Sequence, residues 1–134
     1  MENYGLITLM DLTEDDENSL FREIIVIHEI IHQWFGDLVS IKYWNSLWLN
    51  EGFAQFIEYL ILNDYKENFN AFELFSQKEA VSCLKFFKSG NLVPNENEVD
   101  FVHLFNSLTY SKGAFVVKMF YDLVGRNGFL DVCF

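Results

Sequence analysis

The segment HEIIHQWFGDLVSIKYWNSLWLNEGFA, residues 28 to 54, sets two histidines and a glutamate into a stretch that is otherwise almost entirely apolar. No lysine or arginine lies close in sequence to His28, Glu29 and His32 to balance them. On a helix turning about 100° per residue, His28 and His32 project within ~40° of each other and one turn apart, the separation that two ligands of a single ion require. Glu29 and Gln33 fall on the same flank, so the four polar groups share an arc of roughly 140°. Ile24, Ile27, Ile30, Ile31, Trp34 and Phe35 cover most of the remainder. A helix apolar over that much of its circumference is expected to be buried, and a carboxylate buried beside two imidazoles is costly unless something compensates. A divalent cation does so, and neutral imidazole nitrogen paired with carboxylate oxygen suits zinc, whose catalytic sites commonly take three protein ligands and leave a fourth position open.

The third ligand is expected to be an acid from a neighbouring helix. Glu51 qualifies, because 18 residues separate it from His32, enough for a turn, an extended segment and a return on a roughly antiparallel helix. Gly52 and Ala54 are small and allow that helix to approach the first closely. Glu58, two turns beyond Glu51 on nearly the same face, is compatible with a hydrogen bond to a ligand histidine and equally with a solvated position. Lone histidines on apolar faces are more often hydrogen-bonded core residues than ligands. It is the conjunction of HExxH, an acid at this distance and an apolar surround that points to a metal.

The rest of the chain bounds the fold. A length of 134 residues fits one domain, and 51% hydrophobic residues, with 15 phenylalanines, give ample material for a core. The net charge of −11 has the wrong sign for a phosphate binder, so nucleic acid is not an expected partner. Much of the acidic excess sits in Glu14, Asp15, Asp16 and Glu17, which read as a solvated loop. Cys83 and Cys133 are too few and too far apart for a disulfide framework and are expected as buried thiols. No stretch approaches the ~18 uninterrupted apolar residues of a membrane span, and the N-terminus carries no leader pattern, which leaves the compartment open.

An α+β, mostly helical organisation follows. A short strand is expected at Tyr4 to Met10 and a helix from Leu20 to Phe35, capped by Asn18 or Ser19 and stopped by Gly36. An extended segment is read at Leu38 to Lys42 and a second helix from after Asn45 or Ser46 to about Asn63. Asn70 and Glu73 have capping-box spacing for a third helix, closed by Ser89 and Gly90. NLVPNENE reads as loop, and a last helix spans Thr109 to Val124 with Gly125 in the stop position.

HEIIHQWFGDLV followed by WLNEGFA resembles the gluzincin signature of the aminopeptidase N family, zinc metallopeptidases that remove residues from peptide N-termini. Residues 1 to 7, MENYGLI, match the end of that family's glycine-alanine-methionine-glutamate-asparagine motif, and LTYSKGA, from Leu108 to Ala114, matches the stretch bearing its catalytic tyrosine. The resemblance implies one Zn2+ per chain held by His28, His32 and Glu51, with Glu29 as general base. It implies further that Glu2 binds the substrate's free α-amine and that Tyr110 hydrogen-bonds the developing oxyanion. Peptides with a free N-terminus are the implied partners. Where the family usually has an aspartate four residues before its tyrosine this chain has Asn106, it carries Asp37 where asparagine is frequent, and Lys88 to Asn97 lacks a histidine-proline pair common there.

Family members are several times longer, with a β-rich domain before the catalytic domain and a helical one after it. Residues 1 to 134 are accordingly expected to be the core of a partial thermolysin-like catalytic domain, incomplete at both ends and dependent on the flanking domains. Two alternatives accompany the aminopeptidase reading: a fragment that binds zinc or peptides without turnover, and a thermolysin-like endopeptidase that has no need of an amine anchor.

Overall fold

The computed structural model describes residues 1–9, 19–86, 91–95 and 104–134. Four helices and one small hairpin organise them, an α+β arrangement that is mostly helical. In place of one strand over Tyr4 to Met10, the N-terminus forms two short antiparallel strands, β1 (Glu2–Asn3) and β2 (Leu6–Ile7), pairing Glu2 with Ile7 and Asn3 with Leu6. The apolar alternation concealed a turn: Tyr4 and Gly5 connect the strands, as in other two-residue hairpin loops that favour glycine. Met10, the acidic run and Asn18 lie outside the described residues.

Helix α1 (Ser19–His32) carries the histidine pair and ends earlier than expected. Beyond His32 the chain tightens, with Gln33 N donating to Ile30 O and Trp34 N to Ile31 O, and then reverses at Gly36, whose φ of 130° disfavours any side chain. Leu38 to Lys42 is not a strand: Phe35 and Val39 share a single bridge, because Val39 N donates to Trp34 O and Gly36 N to Val39 O across the reversal. Nor is α1 buried all round. Ile24, Ile31 and His32 face inward, whereas Ile30 is 54% exposed, since α1 packs on α2 and β1 along one side only.

A 3-10 turn at Trp44–Ser46 leads into α2 (Leu47–Tyr65), the central element. Its buried residues run round the whole cylinder, including Leu47, Glu51, Ala54, Phe56, Ile57, Glu58, Leu60 and Leu62. Helix α3 (Ala71–Phe86) opens as expected, with Asn70 Oδ1 accepting from Glu73 N at 3.1 Å. Ser89, Gly90 and the end of NLVPNENE lie outside the described residues, and residues 91–95 form no regular element. A π-helical turn at Leu108–Lys112 then feeds α4 (Gly113–Cys133). Gly125 stands at φ 73°, ψ 168° and breaks α4, but helix resumes beyond it and returns Phe129 to the core. Cys83 and Cys133 are unpaired and half-buried, not fully buried as expected. Among the described residues no helix is long and apolar enough to cross a membrane.

Phenylalanine rings fill the space between α2, α3 and α4. Phe56 meets Phe75 edge-on at 6.0 Å and Phe129 edge-on at 5.7 Å, geometry that adds specificity to the area buried. The closest approach, however, is made by backbone. A Cβ built on Gly52 would stand 2.6 Å from the Gly113 carbonyl carbon, so α2 and the start of α4 touch with nothing between them. Gly52→Ala is therefore expected to push α4 away and to lower the unfolding free energy by about 1–3 kcal/mol, the usual range for overpacking. The urea midpoint measures it, and an unchanged midpoint would contradict this backbone contact.

Candidate metal centre

Two helices supply the cluster that the sequence singles out. His28, Glu29 and His32 come from α1, and Glu51 and Glu58 from the facing side of α2. Nε2 of His32 lies 3.0 Å from Nε2 of His28, and each lies 3.3 Å from Glu51 Oε2. Four ligands placed tetrahedrally about 2.0–2.2 Å from a zinc ion stand roughly 3.3–3.6 Å apart. The three donor atoms thus have close to the mutual spacing of a zinc ligand set.

The other ring nitrogens fix the chemistry further. His32 Nδ1 is 2.8 Å from the carbonyl oxygen of Phe35, which can only accept, so that nitrogen carries a proton. His28 Nδ1 is 2.8 Å from Glu58 Oε2. Glu58 is only 3% exposed, which resolves its two open readings in favour of a hydrogen bond to a histidine of the cluster. With both Nδ1 atoms donating, each Nε2, once deprotonated, turns its lone pair toward the other and toward a carboxylate oxygen. A positive charge at this point, whether a proton or a metal ion, is what such a cluster can hold. His32 and Glu51 are 2% and 3% exposed, so water does not screen them well.

The titration of these groups reflects the same preference. Burial on its own would drive the proton off His28, yet its hydrogen bonds to Glu51 and Glu58 outweigh burial and raise the imidazole to about 10. His32 is likewise raised against burial, chiefly by its hydrogen bond to Glu51. Burial opposes ionisation of Glu51, but the two histidines more than reverse this and hold it at about 2. Glu58 moves the other way, lifted by burial to about 7.

The cluster forms one wall of a cavity of about 660 Å3 whose lining includes Glu2, Glu29, Asn50, Phe105 and Tyr110. Glu29 projects beside the histidines with Oε2 shielded from solvent, and the main-chain nitrogen of Met1 lies 2.9 Å from that atom. Tyr110, on the π-helical turn, has its ring centroid 6.1 Å from that of His28. Burial, followed by the field and hydrogen bond of Glu51 and the fields of Glu2 and Glu29, raises its phenol far above the ordinary value, so it remains a hydrogen-bond donor. All six residues singled out from the sequence, Glu2, His28, Glu29, His32, Glu51 and Tyr110, therefore line this one cavity.

Several supporting residues escaped the sequence reading. Gln33 pins the hairpin to α1: its Oε1 accepts from Gly5 N at 2.9 Å and its Nε2 donates to Asn3 O at 3.2 Å, which holds β1 and Glu2 at the cavity. Its place on the polar flank one turn after Glu29 was the available signal. Tyr4 adds a second tie, its hydroxyl donating to the carbonyl of Asp37 at 2.6 Å. Asn106 proves a competent cap where aspartate was the expectation, since its Oδ1 accepts from Leu108 N at 2.8 Å and from Thr109 N at 3.4 Å. An amide oxygen serves there as a carboxylate oxygen would.

Known proteins are similar to this chain over nearly its whole length. The chain is 37% identical over 139 residues to Tricorn protease-interacting factor F2 of Thermoplasma volcanium, covering 96% of this chain and 18% of that protein. It is 36% identical to Aminopeptidase N of Lactobacillus helveticus, covering 95% of this chain and 16% of the relative. Leucyl aminopeptidase of Saccharolobus solfataricus is 34% identical, with 96% and 18% covered. The chain thus spans less than a fifth of the length of these curated relatives. The peptidase family M1 domain matches residues 1–133, nearly every position from the hairpin through the end of α4, and the chain belongs to peptidase family M1.

Proposed function

We propose that this chain forms the catalytic centre of a zinc-dependent aminopeptidase that hydrolyses the first peptide bond of a peptide with a free N-terminus. The observation that carries the reading is the convergence of His28 Nε2, His32 Nε2 and Glu51 Oε2 at the wall of a cavity shared with Glu2, Glu29 and Tyr110. The donor set fits zinc: two neutral imidazoles and one carboxylate, with a hydrogen bond behind each histidine to hold its tautomer. When bound, zinc supplies Lewis acidity that brings water near it to a pKa around neutrality and polarises a carbonyl.

The chain's own residues account for the remaining steps. Glu29, too far round α1 to join the two histidines as a ligand, takes a proton from the attacking water and returns it to the leaving amine nitrogen. Tyr110 donates its hydroxyl proton in a hydrogen bond to the substrate oxygen as negative charge gathers there. Its raised phenol suits this role, because a tyrosine that ionised would lose the donor. Glu2, held in place by the ties from Gln33 to the hairpin, pairs with the α-ammonium and so selects free N-termini over internal bonds. The names of the relatives Aminopeptidase N and Leucyl aminopeptidase agree with this specificity.

Three outcomes are expected of the full-length protein. Glu29→Gln lowers kcat for release of an aminoacyl-amide dye by about 100-fold or more while zinc content is unchanged. Full activity in that variant would exclude the proposed base. N-acetylated peptides are cleaved far more slowly than free ones, and Glu2→Ala narrows the gap by slowing only the free ones; equal rates for both substrates would favour an endopeptidase.

The third concerns pH. With His28 raised to about 10, the metal-free site holds a proton at neutral pH that an incoming ion must displace. Zinc affinity is expected to rise by about tenfold per pH unit for each proton displaced, up to about pH 10. Calorimetric titration in buffers of different ionisation enthalpy counts these protons; none released at pH 7 would contradict the ligand set. Without metal, stability from raised His28 is full below its unfolded value of 6.5 and is lost as pH climbs through about 10. That from lowered Glu51 is present above its unfolded value of 4.5 and is lost as pH falls through about 2. Stability from raised Glu58 is full below its unfolded value of 4.5 and is lost as pH climbs through about 7, so the three groups together put the maximum of the metal-free protein near the lower value, 4.5.

A further inference from the structure

A buried carboxylate outside the metal cluster remains without a role. Glu79, on α3, is only 6% exposed, and both of its oxygens accept hydrogen bonds from neutral hydroxyls. Tyr59 Oη of α2 donates to Oε1 at 2.9 Å, and Ser111 Oγ of the π-helical turn donates to Oε2 at 2.7 Å. Three elements therefore meet at one side chain. Burying a carboxylate is expensive, and an apolar residue would join α2 to α3 at lower cost, so the reason for the charge has to lie in what it grips.

What it grips is the turn that carries Tyr110. A π-helical turn spends one more residue than an α-turn and persists only when its surroundings hold it. Here Lys112 N reaches back five residues to Ser107 O, and Tyr110 N reaches Asn106 O. On one side the turn runs into the contact between Gly113 and Gly52. On the other, the hydroxyl of Ser111, the residue next to Tyr110, is drawn to Glu79 and not to a carbonyl of its own turn. Tyr59, the second donor, directly follows Glu58, whose carboxylate meets His28. The grip thus sets the π-turn against the stretch of α2 that faces the metal centre.

We propose that Glu79 is a positioning residue for Tyr110: by accepting from Ser111 and Tyr59 it fixes the π-turn against α2 and so aims the phenol into the cavity. The inference rests on the role given to Tyr110 above and adds the group that sets its geometry. A displacement of about 1 Å at a group acting in the transition state can cost 100-fold in rate, which gives Glu79 leverage without any contact with substrate.

The test uses the full-length protein and two independent readouts. In hydrogen exchange, Glu79→Ala and the milder Ser111→Ala are expected to speed exchange at amides 108–113 and to leave those of α1 unchanged. In kinetics, Glu79→Ala is expected to lower kcat about 10- to 100-fold with little change in KM or zinc content. Glu79→Gln recovers most of the loss, since its amide can accept from one hydroxyl and donate to the other. Placed in a Tyr110→Phe background, Glu79→Ala adds no further loss, because its effect passes through the phenol. If Glu79→Ala does not fold, Ser111→Ala carries the same comparison. Unchanged exchange at 108–113, or an equal loss of kcat with and without the Tyr110 hydroxyl, overturns the proposal. Faster exchange in a protein whose wild type does not hydrolyse aminoacyl amides leaves the grip on the turn intact and defeats the functional reading instead.

Discussion

The structure depends on the mutual satisfaction of His28, His32 and Glu51 across the α1 and α2 contact. Neither helix could bury its polar residues alone. On α1 the imidazoles would face an apolar partner, and on α2 the carboxylate of Glu51 would lose its water with nothing in exchange. Brought together, with Glu58 behind one histidine and the Phe35 carbonyl behind the other, they form a site that holds protons and whose donor atoms are spaced as a metal ligand set would be. The raised His28 and the lowered Glu51 express one electrostatic well, the same well that the proposed metal ion would occupy.

Around that well the fold is arranged by close approach more than by regular layers. Helix α2 is buried round most of its circumference, which is why Glu51 and Glu58 are shielded from water and why its glycine matters. Gly52, immediately after Glu51, lets α4 come in at backbone distance and brings the π-turn beside that carboxylate. The same few residues of α2 thus hold the donor atom, the contact with α4 and, through Tyr59, the tie to Glu79.

How legible this was in the sequence differs with the range of the interaction. Local signals were reliable: the i, i+4 histidine pair, the Asn70 cap, the helix following Ser46 and the interruption at Gly125 all depend on residues within a turn or two of each other. The expected strand at Tyr4 to Met10 failed because apolar alternation does not show that Gly5 turns the chain back. The expected extended segment at Leu38 to Lys42 failed because a reversal at Gly36 absorbs it. His28, His32 and Glu51 could be grouped from residue type and spacing, but Glu2 and Tyr110 could be joined to them only through family resemblance. Nothing in their neighbourhoods marks them, and the contacts that bring them to the cavity span tens of residues. Glu79 left no trace at all, since a glutamate on a helix reads as solvent-facing until α2 and the π-turn are seen to enclose it.

The break at Gly125 has a bearing on when the centre becomes complete. By folding the last segment back, it brings Phe134 edge-on to Phe35 at 6.0 Å and lets the Trp34 indole donate to the Cys133 carbonyl at 3.1 Å, across 99 positions of sequence. Phe35 is the residue whose carbonyl orients His32. One imidazole of the pair is thus braced by the final turn described, and loop closure over that distance is slow relative to helix formation. The Phe35 ring is stacked from the other side on Phe53 of α2 at 4.8 Å, so the carbonyl that orients His32 is clamped between an early helix and the segment returned by Gly125.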